Sequence, residues 1–195
     1  MHAVKAEASP VDIRDAFFDE IYAIGSRDRD VVFLTDDLDA FSLRRFKADL
    51  PRQFINIGVA EQNMINLAAG LATCGKMVFA YGIASFVTMR GFEQIKINVC
   101  SMRLSVTLIG VGAGFSFGFD GPTHHGTHDV SLMRCLPEIT IYDPSDVAMA
   151  AACAHLAYQK KGPVYVRLDK GAFPVLSHEF DDFSSGFRIL NPLQA

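Results

Sequence analysis

Residues 54–80 read FINIGVAEQNMINLAAGLATCGKMVFA, and the punctuation of this stretch decides the fold. Phe54–Ile57 is a short run of aromatic and β-branched residues stopped by Gly58, the pattern of a strand. Ala60 to Cys74 is made of good helix formers, and Gly75 stands where a helix closes in the left-handed conformation. Met77–Ala80 is again an apolar run of strand type. Strand, helix and strand thus follow one another with only short joints.

The same alternation continues in both directions. Upstream, Ile13, Phe17, Ile21 and Ile24 share one face of a first helix that ends near Gly25, and Val31–Leu34 reads as a buried strand. Downstream, Ser85 to Cys100 is expected to be helical, with Phe86, Met89, Phe92, Ile95 and Val99 as its apolar face. Leu104–Ile109 reads as a central strand and Ile139–Tyr142 as another. Asp143-Pro144-Ser145-Asp146 caps a helix running to Lys160, with Ser145 as the expected N-cap, and Val164–Leu168 closes the series. The expected fold is therefore α/β: a doubly wound, mainly parallel sheet of about six strands with helices on both faces. Such sheets bind ligands at loops beyond the carboxyl ends of their strands. That directs attention to Thr35–Ser42, Gly58–Glu61, Tyr81–Phe86, Gly110–Asp129, Asp143 and Asp169–Gly171. Residues 1–175 are expected to form one domain, with 176–195 a linker or tail in which Phe187–Leu190 adds one strand at most.

Bulk properties exclude several classes. Half of the 195 residues are hydrophobic and the formal net charge is −4, with no block of basic residues, so nucleic acid and anionic membrane are poor partners. No apolar stretch approaches the ~18 residues a membrane span needs, and the N-terminus has no signal-type apolar core. Cys74, Cys100, Cys135 and Cys153 form no C-x-x-C pair and sit in apolar runs, so they read as reduced core residues of a cytoplasmic protein. Gly110-Val-Gly112-Ala-Gly114 follows a strand but lacks the G-x-G-x-x-G spacing: the position due for its last glycine is Phe115 or Phe117. No G-K-[ST] loop occurs.

Polar chemistry concentrates in two places. Gly118-Phe-Asp120-Gly-Pro-Thr-His124-His125-Gly-Thr-His128-Asp129 crowds imidazoles and carboxylates into a loop after a central strand. Imidazoles there suit proton transfer near neutral pH, with a carboxylate to orient them. A loop held by internal hydrogen bonds is the plain alternative. A zinc site is the other, although the spacing is not H-E-x-x-H and no thiolate pair supports it, so no metal ligand is assigned. The second place is Asn56-Ile-Gly58-Val-Ala-Glu61-Gln-Asn-Met64, where Glu61 opens a helix whose dipole favours a carboxylate. By itself Glu61 reads first as a simple first-turn glutamate.

Taken together the segments resemble the pyrimidine-binding domain of transketolases and of 1-deoxyxylulose-5-phosphate synthases. The matching pieces are Phe54–Met64, Ala68–Ala72, Arg90–Gln94, Gly118–Gly126 (G-F-D-G-P-T-H-H-G), Leu132–Pro137, Asp143–Asp146 and Gly162–Arg167, in family order. The resemblance implies thiamine diphosphate as cofactor, bound at Glu61, Phe86, Asp37 and Gly58. It implies that Glu61 bonds a ring nitrogen of the aminopyrimidine and activates the cofactor. Phe86 matches an aromatic that stacks on the pyrimidine, though it shares a face with Met89 and Phe92 and equally suits the core. Asp120 and His124 match residues that contact substrate hydroxyls and move protons, which makes them catalytic and substrate-binding candidates. Asp37 matches a carboxylate near cofactor and substrate. Arg14 and Arg167 match positions that meet a substrate phosphate, and equally suit structural ion pairs.

Departures from the family pattern also carry information. Where transketolases have a His upstream of the glycine aligned with Gly118, this chain has Gly112. Where the synthases have an Arg one place on, it has Ala113, and the Glu of a family G-E-D-G is Phe119. The acceptor is thus expected to be less phosphorylated or differently shaped than a standard sugar phosphate. The G-D-G motif that holds the diphosphate through Mg²⁺ is absent, no Asn lies between Asn98 and Asn191, and no counterpart of the family's third domain is expected. The resemblance therefore implies a partner subunit carrying the diphosphate and Mg²⁺ domain, in at least a heterotetramer. The expected activity is ketol transfer from a ketose to an aldehyde. The alternatives are a deoxyxylulose-phosphate-synthase-like or 2-oxo-acid decarboxylase or dehydrogenase subunit, or a non-catalytic regulatory relative.

Overall fold

The computed structural model describes residues 11–176 and 182–185. Six strands form one sheet: β1 (Val31–Thr35), β2 (Phe54–Asn56), β3 (Met77–Ile83), β4 (Val106–Val111), β5 (Thr140–Tyr142) and β6 (Val164–Leu168). Their order is β2-β1-β3-β4-β6-β5, and every neighbouring pair is parallel. The register places Phe33 between Phe54 and Phe79, and Val164 between Thr107 and Thr140. The helices are α1 (Ile13–Gly25), α2 (Leu43–Asp49), α3 (Glu61–Thr73), α4 (Phe92–Gln94), α5 (Asp129–Arg134) and α6 (Val147–Gln159).

Alternation along each strand builds two apolar layers, because successive side chains leave opposite faces of the sheet. Val31 and Phe33 join Phe17, Phe18 and Ile21 of α1, Phe46 of α2, and Cys153 and Ala157 of α6. Val32 and Leu34 join Met64 and Ile65 of α3, Ile95, Val99 and Met133. The central strands β1 and β4 are buried on both faces, which explains why they read as unbroken apolar runs. Helices cover both faces, so the doubly wound expectation is met with a sheet that is wholly parallel.

Four local expectations are corrected. The segment after β3 is not one regular helix: π-helical turns at Phe86–Arg90 and Ile95–Cys100 flank α4. Wider turns rotate the buried face, so Val87, Ile95, Val99 and Cys100 are buried while Met89 is 55 % exposed and Phe86 half-buried. Second, the N-cap of α6 is Asp146, not Ser145. Asp146 has an extended backbone and no exposed surface, and its carboxylate accepts the Met149 N–H at 2.9 Å and the Leu176 N–H at 2.7 Å. Third, β4 starts two residues later than Leu104 and runs on to Val111. Fourth, only Cys100 and Cys153 are core residues; Cys74 and Cys135, at helix ends, are exposed. The strand expected at Phe187–Leu190 lies outside the described residues.

Candidate active site

The order of the sheet reverses at β1, since β2 lies on one side of it and β3 on the other. A crevice is expected beyond the carboxyl ends of strands at such a point. Asp36 follows β1 there and is 7 % exposed. Its carboxylate lies so close to β3 that a Cβ on Gly82 would overlap it, so glycine is required for the approach. Burial, and next the nearby charge of Glu61, push Asp36 from 3.8 up to about 7; the guanidinium of Arg90 pulls the other way.

Glu61 is the first residue of α3 and is 5 % exposed. The loop that delivers it is set by a chain of polar contacts. Thr35 Oγ1 donates to the Leu38 carbonyl at 2.8 Å and accepts the Leu38 N–H, turning the chain after β1. Asp37 takes the left-handed conformation in that turn, with φ 70°. Its exposed carboxylate accepts from Asn56 Nδ2 at 2.8 Å, and Asn56 Oδ1 accepts the Gly58 N–H at 2.9 Å. Gly58, at φ 73°, occupies a backbone region that glycine adopts freely. Asp37 and Gly58 thus fix the approach to α3.

Arg90 Nη1 donates to Glu61 Oε1 at 2.6 Å, and its guanidinium carbon lies 4.0 Å above the centroid of the Phe86 ring. One planar cation therefore joins a buried carboxylate to an aromatic face. On from Phe86, its centroid is 4.9 Å from that of His124 in an edge contact, and Phe117 is 6.1 Å from His124. His124 Nδ1 is 2.9 Å from Thr123 Oγ1, while Ser85 Oγ donates to the Thr123 carbonyl at 2.9 Å. The contact with Thr123 occupies one ring nitrogen and leaves Nε2 as the nitrogen open to a reactant. His125 turns away: its ring packs on Phe115 and its Nε2 is buried without a hydrogen-bond partner. His128 pairs with its own neighbour, Thr127. Among the described residues no group of three or more His, Cys, Asp or Glu is placed to hold a metal.

Arg90 therefore joins Glu61 to Phe86, and His124 meets them through the Phe86 ring. Asp120 lies exposed on a single 3₁₀ turn, Gly118–Asp120, next to the fully exposed Phe119. Arg14 is tied to Asp12 through Nε at 3.1 Å and Nη2 at 3.2 Å, with Nη1 3.4 Å from the Tyr81 hydroxyl. Arg167 Nε donates to Asp129 Oδ2 at 2.8 Å, Nη1 to Asp143 at 3.3 Å and Nη2 to the Gly126 carbonyl at 3.4 Å. Three residues at this end of the sheet lie in segments the sequence pointed to but were not singled out there as site residues. Asp36 stands beside the chosen Asp37, and only its position at the end of a buried strand distinguishes it. Arg90 carries no sign of its pairing, because its partner is 29 residues away. Lys170, past β6, is exposed, with its ammonium 4.7 Å from the Phe117 centroid and no carboxylate partner among the described residues.

A Cβ on Gly112 would fall within the Phe117 ring, and Gly112 has φ 93°. A side chain at Gly112 thus has no room, because Phe117 fills it.

Comparison with known proteins shows the family of the chain. The family described as transketolase, pyrimidine binding domain matches residues 9–175. The chain is 36 % identical over 171 residues to one of the subunits of apulose-4-phosphate transketolase of Phocaeicola vulgatus, covering 87 % of this chain and 54 % of that protein. It is 33 % identical over 167 residues to 1-deoxy-D-xylulose-5-phosphate synthase of Lawsonia intracellularis, covering 85 % of this chain and 26 % of that one. A solved structure described as split gene transketolase, inactive beta4 tetramer, superposes with a TM-score of 0.83 at 32 % identity, covering 94 % of this chain and 60 % of that one. The chain spans about half the length of the apulose-4-phosphate transketolase relative it matches. With the family matched along nearly all of its described residues, the chain belongs to the transketolase pyrimidine-binding domains.

Proposed function

We propose that this chain supplies the aminopyrimidine-binding half of a thiamine-diphosphate active site shared with a separate polypeptide. That partner carries the diphosphate-binding domain and holds most of the Mg²⁺ coordination. The carrying observation is the Glu61–Arg90–Phe86 contact: a flat cation that donates to the carboxylate and lies on the ring. An aminopyrimidine protonated at its ring nitrogen has the same features, a planar face and a cationic N–H donor, so the two side chains fit the cofactor's ring. Arg90 is half exposed, so in this reading the cofactor's ring displaces it toward solvent. When bound, thiamine diphosphate supplies the nucleophilic carbon that attacks a carbonyl.

The residues of this chain have separable roles in the reading. Glu61 holds a proton at a ring nitrogen, and Phe86 stacks on the ring. Asp37 and Gly58 shape the loop that presents Glu61. His124 Nε2 moves a proton to or from a substrate hydroxyl, and Asp120, at the exposed lip, contacts a second hydroxyl. Arg14 lies at the same end of the sheet but is held by Asp12 and Tyr81, so the exposed Lys170, beside Phe117, is the cation left to meet the anionic end of a substrate. The assembly transfers a two-carbon ketol unit from a ketose to an aldehyde, and contains at least two copies of each polypeptide. The relative named for a ketose phosphate, apulose-4-phosphate, supports a ketose donor. The closed-off Gly112 supports an acceptor unlike a standard sugar phosphate.

The test is calorimetry of thiamine diphosphate with Mg²⁺ against the chain alone, the chain with its co-expressed partner, and that pair with Glu61→Ala. Binding by the pair only, with ketose cleavage lost in Glu61→Ala, is expected. Turnover of pyruvate with release of CO₂ in place of ketose cleavage would move the chain to the synthase or 2-oxo-acid class. No cofactor binding by the pair, or normal turnover by Glu61→Ala, refutes the catalytic reading.

A further inference from the structure

The loop that carries His124 is closed on itself. Gly114 and Gly126 exchange backbone hydrogen bonds, Gly114 N–H to the Gly126 carbonyl at 3.0 Å and Gly126 N–H to the Gly114 carbonyl at 2.9 Å. They make a neck, and residues 115–125 form the lobe above it. The Gly126 carbonyl also accepts from Arg167 Nη2. Three residues past the neck, Asp129 is 2 % exposed, and its Oδ2 accepts both Arg167 Nε and the fully buried Tyr165 hydroxyl at 2.8 Å. The second edge of the lobe is tied by Ser85 to Thr123 and by Ser116 Oγ to Asp169 at 2.6 Å.

The glycine run before the neck now has a physical reason at each position. A Cβ on Gly110 would stand 2.5 Å from the Tyr165 hydroxyl and block its reach to Asp129. One on Gly112 would displace Phe117, which flanks His124. Gly114, at φ 54°, forms the neck. We propose that Arg167, with Asp129 and Tyr165, is a positioning clamp: it locks the neck of the loop and so sets where His124 stands against Phe86. Arg167 then acts within the chain and not on a substrate: each of its three guanidinium nitrogens already has a partner there. An arginine suits this task because its planar fork reaches a carboxylate and a carbonyl at once, which the single ammonium of a lysine does not.

The inference rests on the proposed function only for the importance of His124, and its test needs no cofactor or partner. The whole chain, labelled with ring-¹³C histidine, is observed by NMR, with the His124 signal assigned by its loss in His124→Gln. In Arg167→Met the His124 signal moves and broadens, and His155, whose Nε2 is 2.8 Å from Glu20 Oε2 on the far helix pair, stays in place. Arg167→Lys gives a smaller displacement of His124. Tyr165→Phe removes one hydroxyl from Asp129 without altering charge, and shifts His124 in the same direction as Arg167→Met; it serves alone if Arg167→Met does not fold. An unchanged His124 signal in either folded variant overturns the clamp. Saturable binding of inorganic phosphate to the native chain that disappears in Arg167→Met also overturns it, and returns Arg167 to an anion-binding role.

Discussion

Asp36→Asn should make the protein more stable at alkaline pH, although it removes a buried carboxylate. Asp36 is raised from 3.8 to about 7, mainly by burial and next by the charge of Glu61. Below about pH 4 both the folded and unfolded chains hold the proton, and the group costs nothing. As pH rises through the interval up to about 7, the unfolded chain releases the proton while the folded chain retains it, so stability falls; above that interval the loss is complete. At about 1.4 kcal/mol per tenfold change in proton affinity, the interval sets a ceiling of ~4 kcal/mol. Relaxation of the carboxylate and entry of water screen part of this, so ~2 kcal/mol is the expected loss. Asparagine has nearly the same shape and does not titrate. Urea unfolding near pH 4.5 and near pH 8 should therefore show the variant gaining ~2 kcal/mol on the parent at the higher pH relative to the lower. Glu61→Gln, which removes the second cause, should flatten the parent's slope in part. A difference between Asp36→Asn and parent that is the same at both pH values refutes the argument.

Two further perturbations test the packing beneath the site. Gly112→Ala should destabilise the chain by ~2–4 kcal/mol, because it combines a left-handed backbone with overlap on Phe117; in a Phe117→Ala background the cost should drop to the ~1 kcal/mol of the backbone alone, and an undiminished cost would show that Phe117 is not the obstruction. Thiol labelling near pH 8 should count two fast cysteines, Cys74 and Cys135, while Cys100 and Cys153, whose thiols burial pushes up to about 11 and about 12, react only when urea unfolds the chain.

Much of the fold was readable because a parallel sheet buries its central strands on both faces. Such strands appear as apolar runs between helices, and β1, β3 and β6 fall where the sequence puts them, with β3 running three residues further. Where the reading slipped, two residues of equal chemistry competed. Ser145 and Asp146 are both N-cap types, and the extended backbone at Asp146 decides between them. Asp36 and Asp37 are adjacent carboxylates, and the left-handed turn at Asp37 sends one inward and the other to solvent. The apolar face expected over Ser85–Cys100 assumed a period of 3.6, which π-helical turns do not keep. In the candidate site, only the loop of His124 stood out by residue type; Glu61 and Phe86 were singled out through the family resemblance. The contacts that couple them run through Arg90, and those that fix the loop run through Arg167 to Asp129 across 38 residues, so neither leaves a local trace.

The strand order has a consequence for how the chain is made. β6 lies between β4 and β5, although it is the last of the six to be synthesised. Until Val164–Leu168 has emerged, β4 presents an open edge of buried type and β5 has no strand to pair with. The final strand is thus a keystone, inserted between two elements that wait for it. Partly synthesised chains ending before Val164 should accordingly be sticky, with the exposed edge of β4 available to any other strand.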